Sequence, residues 1–245
     1  MIQLHSLPTL QKPTLSARVA RHLLDLIAQE GLRPGAFVPS EVQICKTLQV
    51  SRGSVREAYR TLAALGILEI ESGRRPRLQS MSAAVLAEVF GYALSTAQVN
   101  PTHVIETRRA IEVQGAQLAA RNITDAQKAT LKGLVVQMRT ALGDHDHVRR
   151  VTADMAIHTT LAEASCNPLN PLLLAALRAP VEQVMSIDLG SHRSESELMR
   201  FVDAHEAIVE RVCMGDAVGA GAAMAMHFEL SVGSMSNGER VAVPT

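Results

Sequence analysis

Two sets of side chains in this 245-residue chain have the type and spacing for chemistry. Asp154 and His158 stand four apart in a run of helical periodicity, interleaved with Met155, Ile157 and Leu161, so both project from one helix face. His205 and His227 occur singly on two later helical runs that flank Gly215. If those runs form an antiparallel hairpin about Gly215, the two histidines lie roughly 15 and 18 Å from the turn at 1.5 Å per residue and come level. One carboxylate and three imidazoles converging inside a helical bundle make a mixed oxygen and nitrogen set that suits a divalent metal: Zn2+, Ni2+, Mn2+ or Fe2+, with Zn2+ favoured by ligand type and availability. A plainer reading stays open, in which the same histidines are hydrogen-bonded core residues.

The second set is basic. Ser51 caps a helical pattern whose apolar positions Val55, Tyr59, Leu62 and Leu65 form a stripe that Gly66 ends. With that stripe buried, Ser51, Arg52, Gly53, Ser54 and Arg56 occupy the exposed start of the helix. Arg52 and Arg56 share a face, and Gly53 permits close backbone approach. A shorter pattern precedes it, capped by Ser40 behind Pro39, with Val42, Ile44, Cys45 and Leu48 apolar and Gln49 and Val50 as the turn. The pair reads as a helix-turn-helix whose second helix enters the DNA major groove, or, more blandly, as a helical hairpin with a solvated charged face. Residues 68–71 and 77–79 then read as two short strands around a basic tip with Arg74 and Arg75, a wing suited to phosphates or the minor groove.

These motifs must be positioned by two domains. The formal net charge of zero conceals an asymmetry: residues 1–80 hold 11 Lys and Arg against 6 Asp and Glu, and residues 81–245 hold 13 against 18. The basic half is the half with the helix-turn-helix, as phosphate neutralisation requires. We therefore expect a mainly α protein: a mobile arm at 1–13, a winged helix-turn-helix at 14–79, a linker at 80–84, an all-helical bundle at 85–235 and a disordered tail at 236–245. Helices are expected over 14–30 in the first domain and over 83–98, 101–121, 124–142, 145–165, 169–188, 194–214 and 217–235 in the second, with a break at Gly190 and Ser191 and a kink at Pro180. Cys45, Cys166 and Cys213 lie far apart without a CxxC and read as reduced core thiols. No apolar run approaches the length of a bilayer span, and no signal-peptide core opens the chain, so a cytoplasmic protein is expected.

The stretch VPSEVQICKTLQVSRGSVREAYRTLAALGILEIESGRRPRL resembles the winged helix-turn-helix of the GntR family of bacterial transcription regulators, with PSE, VSRxxVREA and LxxLGIL in order. The resemblance implies DNA contacts at Arg52 and Arg56. It departs at Val42, where the family usually has a DNA-contacting Arg. Residues 101–229, with VIETRRAIEVQGAQLAAR, DMAIHTTLAEASCNP and HEAIVERVCMGDAVGAGAAMAMHF in order, resemble the FCD ligand-binding domain of the FadR subfamily. That resemblance implies a metal set of Asp154, His158, His205 and His227, and it places Arg108 inside the bundle as a clamp for an effector carboxylate. Cys166 replaces the family's usual Gly before Asn167, and Ile157 a common Phe.

The function expected is a homodimeric transcription factor, a repressor of a near-palindromic double-stranded operator, relieved by a sugar acid or a short hydroxy or keto acid. Two rivals stay open on sequence alone: a metal-dependent hydrolase or lyase with a DNA-binding appendage, and a metal-free bundle serving only dimerisation. The enzyme reading needs a general acid or base beside the metal, and Glu163 is turned about 140° from the His158 face by its offset of five.

Overall fold

The computed structural model describes the backbone of residues 13–188 and 194–238 and the side chains of 13–178 and 194–230. Most of the expected arm, the break at Gly190 and Ser191, and residues 239–245 of the expected tail lie outside the described residues. The chain divides into two compact units, Met1–Val85 and Leu86–Thr245.

In the first unit, α1 (Leu15–Gln29) is capped by Thr14, α2 (Glu41–Leu48) by a Ser40–Gln43 capping box, and α3 (Arg52–Ala64) by Ser51. Gln49 takes the left-handed conformation, φ 52°, that turns α2 into α3. Val19, Leu23, Ile44, Val55, Tyr59, Leu62 and Leu68 form one core. Tyr59 is fully buried, and its hydroxyl donates to Pro39 O at 2.5 Å, tying α3 to the segment before α2. Burial pushes that hydroxyl's pKa above its ordinary value, with Glu41 and Cys45 adding, so it remains a donor.

Several expectations need correcting. Leu65, expected in the buried stripe of α3, is 54% exposed; Val42, apolar in α2, is 52% exposed. The eight-residue α2 turns only Ile44 fully inward and Val42 lies about 200° from it; Leu65 is the C-cap of α3, beyond its last packed turn. The wing strands are shorter than expected, β1 (Leu68–Glu69) and β2 (Arg77–Leu78), antiparallel with Leu68 opposite Leu78. The segment before α2 adds an edge: Phe37 bridges Arg77, Leu78 N donates to Ala36 O at 2.8 Å and Val38 N to Pro76 O at 3.0 Å.

The second unit is helical among the described residues: α4 (Ala84–Ser95), α5 (Pro101–Asn122), α6 (Asp125–Gly143), α7 (His147–Ala164), α8 (Leu169–Asp188), α9 (Glu195–Cys213) and α10 (Ala217–Gly238). Asn100, Thr124 and Ser194 build capping boxes at α5, α6 and α9. α4 stops at Ser95, before the expected 98, and Ala97 follows with φ 55°. α8 runs through Pro180, and α10 extends past 235 to Gly238, since no proline interrupts its backbone bonds there. Helix α5 packs against α7, α8, α9 and α10. A Cβ on Gly221 of α10 would lie 2.5 Å from Gln117 Nε2 of α5, so a larger residue there would displace that side chain. Cys166 is exposed in a left-handed turn, φ 56°, between α7 and α8, so it is not a core thiol, whereas Cys45 and Cys213 are half-buried.

Candidate metal centre and nucleic-acid interface

Helix α7 supplies Asp154 and His158, α9 supplies His205 and α10 supplies His227. Their exposures of 3%, 2%, 0% and 3% put all four inside the bundle. The α9–α10 hairpin turns at Gly215, φ 76°, and brings the rings of His205 and His227 to 4.3 Å between centroids. His158 Nε2 lies 3.3 Å from His205 Nε2, and Asp154 Oδ1 lies 2.7 Å from His205 Nε2 and 3.8 Å from His158 Nε2. One nitrogen from each of the three histidines falls within 4.8 Å of the others.

The outer ring nitrogens decide what the inner ones can do. His205 Nδ1 lies 2.8 Å from Phe201 O and donates to it; His158 Nδ1 donates to Glu112 Oε2. In the neutral tautomer with Nδ1 as the donor, each ring turns an Nε2 lone pair inward, towards the other and towards the Asp154 carboxylate. Asp154 Oδ1 is buried and, despite its nearness to His205, makes no hydrogen bond of sound geometry. Three acceptors facing one another repel unless a proton or a cation lies among them, and a metal ion suits a carboxylate with imidazoles held from behind by a carboxylate and a carbonyl. The donor set fits a divalent ion.

Burial pushes the Asp154 carboxyl up, but His205 and then His158 beside it outweigh burial and hold it well below the usual carboxylate range. Burial, then His205 and His158, push His227 well below the ordinary imidazole value, leaving a neutral ring. Burial opposes protonation of His158, and the Glu112 carboxylate overrides it and raises its pKa.

Glu112, on α5, is the residue that sequence reasoning missed. It is 6% exposed, accepts from Arg108 Nε at 2.7 Å on one oxygen and from His158 on the other. Burial raises its carboxyl, yet Arg108 and His158 bring it down to about 2. A signal existed: Arg108 and Glu112 are four apart, a charged pair on an otherwise apolar face. Arg108 is 5% exposed and inward, 5.6 Å from the Phe228 ring, while Arg109 points out to Glu229 at 3.1 Å. A second buried guanidinium, Arg150, is 5% exposed one turn ahead of Asp154, with Nη2 2.9 Å from His147 Nδ1. His145, His147 and Glu163 are exposed.

In the first unit, Ser51 Oγ accepts from Ser54 N at 3.2 Å and lies 3.0 Å from Ser54 Oγ, so its hydroxyl is engaged in the cap. A Cβ on Gly53 would meet only Ser51 Oγ, at 3.9 Å, which leaves the backbone there open to a ligand. Arg52 and Arg56 are exposed one turn apart, and Arg56 Nε lies 3.5 Å from Glu41. In the wing, Arg74 is ion-paired with Glu71, and Arg75 is exposed over Phe37.

A two-stranded wing with one further bridge at Phe37, beside a capped tri-helical unit and joined to an all-helical bundle, defines a winged helix-turn-helix regulator with a helical second domain. The comparisons agree. The model for bacterial regulatory proteins of the gntR family matches residues 15–77, and that for the FCD domain residues 103–230. The chain belongs to the GntR family, in the FadR-type subfamily whose second domain is FCD, and it is a DNA-binding transcription regulator. It is 28% identical over 206 residues to the HTH-type transcriptional regulator LutR of Bacillus subtilis (strain 168), covering 82% of this chain and 92% of that one. It is 30% identical over 227 residues to the HTH-type transcriptional repressor NanR of Citrobacter rodentium (strain ICC168), covering 89% and 84%. A solved GntR structure from Streptococcus agalactiae aligns with TM-score 0.66 at 26% identity, covering 90% of this chain and 99% of that one. No helix among the described residues is long and apolar enough to cross a membrane.

Proposed function

We propose that the chain is a homodimeric repressor whose operator binding is relieved by a small carboxylate, a sugar acid or a short hydroxy or keto acid, held at a divalent metal in the helical unit. The observation that carries this reading is the buried convergence of Asp154, His158, His205 and His227 beside two buried guanidiniums, Arg108 and Arg150. A bound metal supplies a Lewis-acidic site for the oxygens of a chelating anion, and Zn2+ is the ion this donor set favours. The protein's own groups do the rest. Glu112 fixes the His158 ring and holds Arg108 by Nε, leaving the outer guanidinium nitrogens to orient a carboxylate. On the DNA side, Ser51, Arg52, Gly53, Ser54 and Arg56 face the major groove of a near-palindromic operator, with Arg74 and Arg75 of the wing on the phosphates. The repressor assignment draws support from the NanR relative, which is a repressor by name.

The effector changes operator binding only through a difference in its affinity for the DNA-competent and DNA-incompetent states. The test is release of a duplex that the purified protein has selected from a randomised pool, titrated with sugar acids and short hydroxy acids before and after chelation. Release by one acid, lost on chelation and restored by Zn2+, is expected. Retention of the duplex with every acid, chelated or not, overturns the reading.

Glu112→Gln checks the support behind His158. Removing the carboxylate's charge while keeping its shape is expected to weaken metal affinity by about 10- to 100-fold, read by competition with a chromophoric chelator. Affinity within about twofold of wild type would show that His158 holds its orientation without Glu112.

A further inference from the structure

The reading above places Arg74 and Arg75 of the wing on the phosphates and leaves Phe37 and Arg77 without a role. Phe37 is 47% exposed, and the Arg77 and Arg75 guanidiniums lie over its ring at 4.8 and 5.2 Å from the centroid. The ring is fixed by the backbone bridge between Phe37 and Arg77, and by the bonds that seat residues 36 and 38 on β2 and Pro76. Arg74 already has Glu71 as its partner, whereas neither Arg75 nor Arg77 has a carboxylate within ion-pair distance among the described residues. Two cations on one exposed ring repel each other in the free protein, and a polyanion laid across them removes that repulsion. A planar guanidinium stacked on an aromatic face is also oriented in advance, so it loses less freedom when its donors engage phosphate oxygens.

We propose that Phe37, Arg75 and Arg77 form a single DNA-backbone contact surface, in which the ring holds both guanidiniums towards the phosphates of duplex DNA. Arg77 is the added contact and Phe37 the positioning residue. The inference rests on the DNA-binding function of the chain and is independent of the metal.

The measurement is binding of the full-length protein to a fluorescein-labelled mixed-sequence duplex across a salt series, with Phe37→Leu, Phe37→Trp and Arg77→Ala, each checked for its melting transition. Phe37→Leu keeps an apolar side chain on the edge strand but removes the ring face. It is expected to weaken binding about three- to tenfold and to reduce the slope of log K against log salt by about one for each phosphate no longer neutralised. Arg77→Ala should do the same, and Phe37→Trp should restore wild-type binding, since the indole offers the stronger face. Wild-type affinity and slope in Phe37→Leu, or a Phe37→Trp protein as weak as Phe37→Leu, overturns the proposal; failure of the wild type itself to bind the duplex overturns the DNA reading instead.

Discussion

Replacing Arg52 and Arg56 together by alanine is expected to lower affinity for the selected duplex by about 30- to 20,000-fold at fixed salt, from roughly 1–3 kcal/mol for each arginine that pairs bidentately with a base. Both residues start α3 on its exposed face, and neither belongs to the core formed by Val55, Tyr59 and Leu62. The helix should therefore survive: its cap is Ser51, which the substitutions leave alone. Binding to mixed-sequence DNA should fall far less, because the phosphate-directed cations of the wing remain. The two losses separate base readout from charge. Fluorescence anisotropy with the selected and mixed duplexes side by side makes the measurement, and an equal loss on both would show that the arginines contact only the backbone. Of the two, Arg52→Ala alone should cost more, because Arg56 must first give up its 3.5 Å contact with Glu41.

The second large effect is expected at His205. It is fully buried, and its Nε2 lies 2.7 Å from Asp154 Oδ1 and 3.3 Å from His158 Nε2. His205→Gln should reduce bound metal from about one ion per chain to a small fraction, read by elemental analysis of the purified protein. If the wild-type site is filled at 100 to 1,000 times its dissociation constant, metal contributes about 3–4 kcal/mol to the helical unit, so chelation should lower that unit's unfolding transition. In His205→Gln the transition should start low and stay there on chelation, because the ion is already missing. The first unit has its own core and no share in the cluster, so its unfolding should not respond to chelator in either protein. A variant that keeps one tightly held ion would remove His205 from the donor set, and a wild type indifferent to chelation would leave the bundle as a dimerisation module.

What the sequence by itself determined is what local physics writes. Ser40 and Ser51 sit where an oxygen is needed to accept the unpaired amides of a first turn, and each caps the helix expected of it. Asp154 and His158 are four apart, so their shared face follows from helix geometry. The meeting of His205 with His227 was legible only because a short turn at Gly215 makes the register of two neighbouring helices calculable from residue counts.

Tertiary structure decided the rest. Glu112 is 46 residues from His158 in sequence, and no spacing rule connects them until α5 packs on α7. The same packing placed Arg150 among the buried residues and turned Arg109 outward, a choice periodicity left open on a helix enclosed by four neighbours. Phe37 reads as loop because strand pairing is a property of two segments, and a single bridge to Arg77 leaves no alternating pattern in either. Leu65 looked buried because apolar type was taken for burial; at a helix end the core reaches only the side chains directly facing it.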